Sequence, residues 1–205
     1  MSHREPILDQ VSIDDLRPTQ ITVGYREVDA KRREWRDRSA HGEETYLGRH
    51  MAPVVLGPRG RRYLIDHHHL ALALLKEGQT EVLTTVVVDL SGLSKASFWT
   101  YLDNRAWCHP YDAKGVRRDF SAIPKRVTKL EDDPYRSLAG ELRRAGGFAK
   151  DTTPFSEFLW ADFLRARVKT TLIESRFAAA VEKALSLARS EAAVYLPGWC
   201  GPHAD

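Results

Sequence analysis

Residues 53–89 read PVVLGPRGRRYLIDHHHLALALLKEGQTEVLTTVVVD and carry the clearest structural pattern in the chain. The apolar run at 53–56 and the run at 61–65 each have the length and β-branched content of a strand. Between them, Gly57-Pro58-Arg59-Gly60 combines the residues that favour tight turns. The sequence therefore predicts two adjacent strands joined by a turn.

A buried helix and a third strand complete this pattern. Residues 67–77 are apolar nearly all round, which indicates a helix enclosed by other elements. Asp66 suits the N-cap, and Gly78 suits a left-handed C-terminal cap. The valine-rich residues 81–89 predict a buried strand.

The remaining chain shifts from strand to helix. Residues 11–18 indicate a short strand or turn, residues 28–38 an exposed helix, and residues 39–52 a loop with His41 and His50. Further helices are predicted at 94–107, 135–145, 154–164 and 171–195. We therefore predict an α+β fold in which a small mixed sheet with helices (1–92) carries a helical C-terminal extension (93–205) as one compact unit.

Composition excludes several classes of protein. The chain has 205 residues, of which 42% are hydrophobic and 9% aromatic, so it can bury a sizeable core and is not intrinsically disordered. Two cysteines are too few for a disulfide scaffold or a four-cysteine zinc site. With no signal peptide and no run of ~20 apolar residues, we expect a cytoplasmic protein without a membrane segment.

Charge gives little support to a nucleic-acid partner. The formal net charge is only +3. The densest basic strip, KRREWRDR at 31–38, includes a tryptophan and could follow a phosphate backbone. The alternative is a solvated helix face with local salt bridges, since acids lie within the strip.

Three consecutive histidines, His67, His68 and His69, follow Asp66 at the predicted helix start. Free amides and the helix dipole favour an anion there, to which histidines add donors. Together with Asp66, His67 and His69 are also candidate metal ligands. Adjacent helical residues point about 100° apart, so all three histidines do not readily bind one ion. A third interpretation is that His67 and His69 pack in the protein and only His68 faces solvent.

Several segments together resemble a known family. Residues 63–74, YLIDHHHLALAL, resemble the central box of the ParB/sulfiredoxin superfamily, where a strand ends in Asp-Gly-x-His-Arg before a helix. More narrowly, residues 11–167 resemble the ParB-like nuclease family. The matching segments are Leu16-Arg17-Pro18-Thr19-Gln20, Arg26-Glu27-Val28, Asp66-His67-His68-His69, DDPYRSLA at 132–139 and FSEFLWADF at 155–163.

This resemblance implies a ParB/sulfiredoxin-like fold and a nucleotide-dependent activity. Superfamily members bind and cleave CTP, or transfer phosphate from ATP or ADP to a cysteine or to free serine, with an N-terminal glutamate as base in the serine kinases. By position in the sequence, Glu27 would be that base. The resemblance also implies that His68 and His69 are further catalytic residues. The implied cofactor is Mg²⁺ with ATP, ADP or CTP. The implied ligand- and phosphate-binding residues are Asp66, His67, Arg26, Lys31 and Arg136.

The box departs from the family pattern at two positions. His67 stands where the box has glycine, and Leu70 stands where it has the phosphate-binding arginine. Arg136, in Asp133-Pro134-Tyr135-Arg136, could replace that contact. Alternatively this segment is an ordinary helix start, with Asp133 as N-cap, Pro134 in the first turn and Arg136 on the surface.

The function expected from the sequence is an enzyme acting on a small molecule, by nucleotide-dependent phosphoryl transfer or nucleotide hydrolysis. One alternative is a nuclease or other hydrolase in which His67, His68 or His69, with Asp66 or Glu27, holds a divalent metal that activates water. A second alternative is a regulatory protein that binds a small ligand.

Overall fold

The computed structural model describes residues 8–40 and 51–202, so most of the predicted loop at 39–52, including His41 and His50, lies outside the described residues. The described part contains seven α-helices: α1 (Tyr25–Ala40), α2 (His68–Lys76), α3 (Lys95–Asn104), α4 (Pro134–Arg144), α5 (Ser156–Arg165), α6 (Thr170–Ser175) and α7 (Phe177–Ala188). Its strands are β1 (Leu8–Ser12), β2 (Arg17–Pro18), β3 (Thr22–Val23), β4 (Ala52–Gly57), β5 (Arg61–Leu64), β6 (Glu81–Asp89) and β7 (Glu131–Asp132). None of these helices combines the length and apolar composition needed to cross a membrane.

The chain divides into two compact units. The first contains the described residues of 1–22, 28–112 and 117–131, and the second contains 23–27, 113–116 and 132–202. Helix α3 and residues 117–131 therefore cluster with the sheet, beyond the domain boundary predicted at residue 92.

The first unit is built on a five-stranded sheet in the order β1-β6-β4-β5-β2. Pairing is antiparallel for β1–β6 and β4–β5 and parallel for β6–β4 and β5–β2, which confirms the mixed sheet of the predicted α+β fold. The hairpin turn between β4 and β5 holds Arg59 in the left-handed region, at φ 67°. Strands β3 and β7 pair as a separate two-stranded sheet.

Apolar side chains of the strands and helices are buried at two places in the first unit. Helix α2 is buried from Leu70 to Leu74, as its apolar sequence predicts, and Gly78 follows it at φ 80°. Tyr63 of β5 packs with Phe98 and Trp99 of α3 in a second apolar cluster.

The second unit is a helical cluster around Trp160. This side chain is fully buried, stacks on Phe148 and donates a hydrogen bond from Nε1 to the carbonyl of Pro197 at 2.9 Å. The prediction of one helix over 171–195 is wrong. Arg176 has a non-helical backbone (φ −144°, ψ 68°), which separates α6 from α7, and α7 ends at Ala188. The small-residue face of α7 (Ala180, Ala184 and Ala188) is buried in this core.

Candidate functional site

The start of α2 is shaped by a left-handed residue. His67 has φ 63° and ψ 25°, so the helix begins at His68, one residue later than predicted. This backbone conformation accounts for the glycine of the family pattern at position 67, because only glycine adopts it without strain. Asp66 does not cap the helix; its Oδ1 accepts a hydrogen bond from the His67 amide at 2.6 Å. An incoming anion would therefore compete with a carboxylate for this amide.

His68 is enclosed by the first unit. Its Nε2 accepts a hydrogen bond from the Thr19 amide at 3.2 Å, while the Thr19 hydroxyl donates to the carbonyl of Leu64 at 2.8 Å. Burial lowers the pKa of His68 from 6.5 to about 3, so the ring is neutral at physiological pH. The interpretation in which only His68 faces solvent is wrong, since His68 is buried and His67 and His69 are half-buried. We therefore propose that His68 ties Thr19 to α2 and does not transfer protons.

The buried neutral His68 makes stability depend on pH. Its folded pKa lies below the unfolded value, so the unfolded chain binds more protons and stability is lost as pH falls from about 6.5 toward 3. Between pH 8 and pH 5 this one group is expected to remove about 2 kcal/mol from the free energy of unfolding. Urea unfolding of the unmodified protein and of His68→Gln, each at both pH values, measures the effect. Equal pH dependence in the two proteins would contradict it.

The structure does not support the proposed three-residue metal site. Across residues 8–40 and 51–202, no group of three or more histidine, cysteine, aspartate or glutamate side chains is placed to hold a metal ion. Asp66, His67 and His69 are therefore not gathered as a metal-binding set.

Glu27 lies in the first turn of α1, inside the helix rather than before it as predicted, and belongs to the second unit. It is 9% exposed. Its Oε2 is 2.7 Å from Nη1 of Arg136, and its Oε1 is 3.4 Å from Nη1 of Arg144. The carboxylate is thus held between one buried and one partly exposed guanidinium.

Arg136 lies at the centre of this arrangement, 7% exposed. It pairs with Glu27 and with Glu157, and its guanidinium lies 5.3 Å from the ring of Phe158. Glu157 also accepts a hydrogen bond from Arg143 at 2.6 Å. We call Glu27, Arg136, Arg143, Arg144 and Glu157 the charged cluster.

The beginning of α4 confirms the predicted helix start but not the surface position that this interpretation gives Arg136. Asp133 is the N-cap, accepting from the Tyr135 amide at 2.9 Å, and Pro134 occupies the first turn. Arg136 is not on the surface, because the helix turns it inward to the two carboxylates. Asp133 itself is buried beside Arg165 at 2.6 Å; its pKa is raised by burial, an effect that Arg165 opposes.

Two glycines let these segments approach closely. A side chain at Gly140 of α4 would overlap the carboxylate of Glu27. At Gly24, a Cβ atom would come within 2.8 Å of the backbone nitrogen of Ser137, whose hydroxyl accepts from the Arg26 amide at 3.2 Å. Glu27 can therefore occupy its position only because residues 24 and 140 have no side chain.

Glu157, Arg143 and Arg144 are not among the site residues predicted from the sequence. The sequence of α4 gives a partial indication of the two arginines, because residues 136, 140, 143 and 144 follow helical spacing and share one face. Glu157 gave no such signal, although it lies in a segment that carried the family resemblance.

Arg26 and Lys31 were both predicted to bind ligand, and each has a partner within the protein. The guanidinium of Arg26 lies 3.8 Å from the centre of the Phe177 ring. Nζ of Lys31 is 2.9 Å from a carboxylate oxygen of Glu34, three residues later. This pair matches the alternative of a helix face with local salt bridges.

Three comparisons place the chain among known proteins. A family model described as "Putative ParB-like nuclease" matches residues 9–166. The crystal structure of protein Atu1540 from Agrobacterium tumefaciens is similar at 54% identity and a TM-score of 0.90, covering 97% of this chain and 100% of that chain. C-terminally truncated chromosome-partitioning protein ParB from Caulobacter crescentus, complexed with CTP-gamma-S, is 12% identical with a TM-score of 0.32, covering 91% and 94%. No curated protein matches the sequence. The chain belongs to the ParB-like nuclease family.

Proposed function

We propose that this protein is a small-molecule enzyme that transfers a phosphoryl group from a nucleotide to an acceptor hydroxyl or to water, using the charged cluster. The observation that carries the proposal is the Glu27 carboxylate, buried beside Arg136 and adjacent to a guanidinium that reaches solvent. Phosphoryl transfer needs a group that accepts the proton of the acceptor and cations that neutralise the transferred group. The charged cluster contains both.

The proposed reaction has one displacement. The acceptor oxygen forms a bond to the terminal phosphorus while its proton passes to the Glu27 carboxylate. The bond from that phosphorus to the bridging oxygen breaks, and the shortened nucleotide leaves with the electron pair. Glu27 then releases its proton to solvent, which restores the carboxylate.

The three arginines have different proposed roles. Arg143 and Arg144 are 34% and 39% exposed, so they can reach the phosphoryl oxygens. When Arg144 moves to the phosphoryl group, Oε1 of Glu27 loses its 3.4 Å contact and becomes available to the acceptor proton. Arg136 is buried and acts as a positioning residue that keeps Glu27 in place.

Magnesium would accompany the nucleotide in this proposal. Among the described residues, no three histidine, cysteine, aspartate or glutamate side chains are placed to hold one metal ion, so they do not fit a site formed by protein alone. Mg²⁺ at nucleotide phosphates commonly needs only one or two carboxylates. No step of the proposal depends on a protein-held metal.

The start of α2 was the predicted phosphate cradle. The carboxylate of Asp66 at the His67 amide makes it less suited to that role than the charged cluster. Binding by Asp66 or His67 and catalysis by His69 remain predictions.

Thermal melting of metal-stripped protein tests the class of function. ATP, ADP and CTP are each added with Mg²⁺, followed by Zn²⁺ or Mn²⁺ alone, and by a short DNA duplex. A ligand at 100 times its Kd stabilises by about 2.7 kcal/mol, or roughly 5–10 °C at this size. We expect at least one nucleotide to raise the melting temperature. A rise with Zn²⁺ or DNA, and none with any nucleotide, would instead favour a metal-dependent nuclease.

A further inference from the structure

A basic pocket lies in the first unit, and none of its lining residues belongs to the charged cluster. Its volume is about 440 Å³, within the roughly 300–1,000 Å³ typical of small-molecule pockets. Five cationic side chains line it: Arg17, Arg59, Arg61, Lys95 and Lys125. They come from β2, the β4–β5 turn, β5, α3 and the segment after α3. We call this the basic pocket.

The positive charge of the basic pocket is not neutralised by the protein. No aspartate or glutamate is among its lining residues. Within the described ranges, none of the five cations forms an ion pair. Other arginines of the same unit do, as in Arg62–Asp9 at 2.8 Å and Arg117–Asp103 at 2.6 Å. Five clustered cations without counter-charges repel each other, and an anionic ligand would relieve that repulsion.

Aromatic rings form the apolar part of the same pocket. Tyr63, Trp99 and Phe120 line it, and the rings of Trp99 and Phe120 are stacked at 9° with centroids 5.5 Å apart. Tyr63 meets Trp99 edge to face at 5.6 Å. A rigid aromatic wall beside a cationic rim suits a ligand that has both a flat ring and a phosphate.

We propose that the basic pocket binds a nucleotide unit, with the base against the aromatic wall and the phosphates on the cations. The unit is either a free nucleotide or part of a single strand, since both present the same base and phosphate. All lining residues belong to the first unit, so this proposal does not rest on the reaction proposed for the charged cluster.

Arg59 offers the most selective variant. Its left-handed backbone, φ 67°, is strained for arginine and natural for glycine. Arg59→Gly therefore removes a cation from the pocket while relieving strain in the turn. A loss of binding in this variant cannot be attributed to loss of the fold if its melting temperature is equal or higher.

Calorimetric titration without Mg²⁺ tests the proposal. The probes are ADP, a four-nucleotide oligothymidylate, and the separate halves adenosine and pyrophosphate. We expect ADP or the oligonucleotide to bind more tightly than either half, and the preferred probe identifies the source. Arg59→Gly with Lys125→Ala is expected to weaken binding roughly 100-fold, about tenfold for each charge-assisted hydrogen bond. Arg189→Ala, which removes an exposed cation of the second unit that does not line the pocket, is the control and is expected to bind as the unmodified protein does.

Two results would overturn the proposal. One is that neither ADP nor the oligonucleotide binds at millimolar concentration. The other is that the double variant binds with unchanged affinity. The binding that Arg59→Gly with Lys125→Ala weakens should be unchanged in Glu27→Gln, whereas the phosphoryl transfer proposed for the charged cluster should be lost there, so the two proposals fail with different results.

Discussion

Replacing Arg136 with methionine is expected to lower the free energy of unfolding by about 3–5 kcal/mol. Arg136 is 7% exposed, and its guanidinium stands between the carboxylates of Glu27 and Glu157. Methionine fills similar space but leaves the buried Glu27 without its 2.7 Å partner. A charge stripped of its partner in the interior costs more than a lost hydrogen bond, because water no longer solvates it. Urea unfolding followed by circular dichroism measures the change.

Two further variants test whether this loss of stability comes from the buried arginine and its carboxylate partners. Arg189→Met removes an exposed arginine from the same unit and is expected to change stability by no more than about 0.5 kcal/mol. Adding Glu27→Gln and Glu157→Gln to Arg136→Met removes the two carboxylates that have lost Arg136 and should recover part of the lost stability. An Arg136→Met protein as stable as the unmodified one would show that the charged cluster does not hold the second unit together.

Glu27→Gln is expected to slow nucleotide-dependent phosphoryl transfer by about 100-fold or more, the usual contribution of a positioned general base. Glutamine has nearly the same shape, and its carbonyl can still accept from Arg136, so the fold should persist. It cannot take the acceptor proton. The rate of phosphoryl transfer and the melting temperature, measured on the same preparation, separate loss of chemistry from loss of structure.

The matched control for Glu27→Gln is Glu174→Gln, the same substitution on an exposed residue of α6. It is expected to transfer phosphate at the unmodified rate. If Glu27→Gln did so too, Glu27 would not be the base, and the charged cluster would be left with a structural role.

Local patterns predicted most of the first unit. The apolar runs at 53–56 and 81–89 lie within β4 and β6, and Gly78 has the left-handed backbone expected of a C-terminal cap. These features depend on neighbours in sequence, such as a turn dipeptide or a run of valines, and therefore show in a single chain. The prediction of one helix over 171–195 failed because nothing in its alanine-rich composition marks the non-helical backbone of Arg176.

The charged cluster depends on contacts between distant segments. Glu27 could be selected as a candidate, but its partner Arg136 comes from a helix far later in the chain. Whether Arg136 faces solvent or the interior depends on the carboxylates that surround it, and no spacing rule reveals them. His68 is a similar case, because its burial depends on the Thr19 segment that supplies its hydrogen bond.

The most direct test is phosphorus NMR of the unmodified protein with ATP, ADP or CTP, Mg²⁺ and a panel of hydroxyl-bearing small molecules that includes free amino acids. The proposed function predicts that the terminal phosphorus signal of at least one nucleotide declines while a phosphate ester or inorganic phosphate appears, and that this change is lost in Glu27→Gln. Three nucleotides that stay intact with every acceptor, in protein that melts cooperatively, would contradict it.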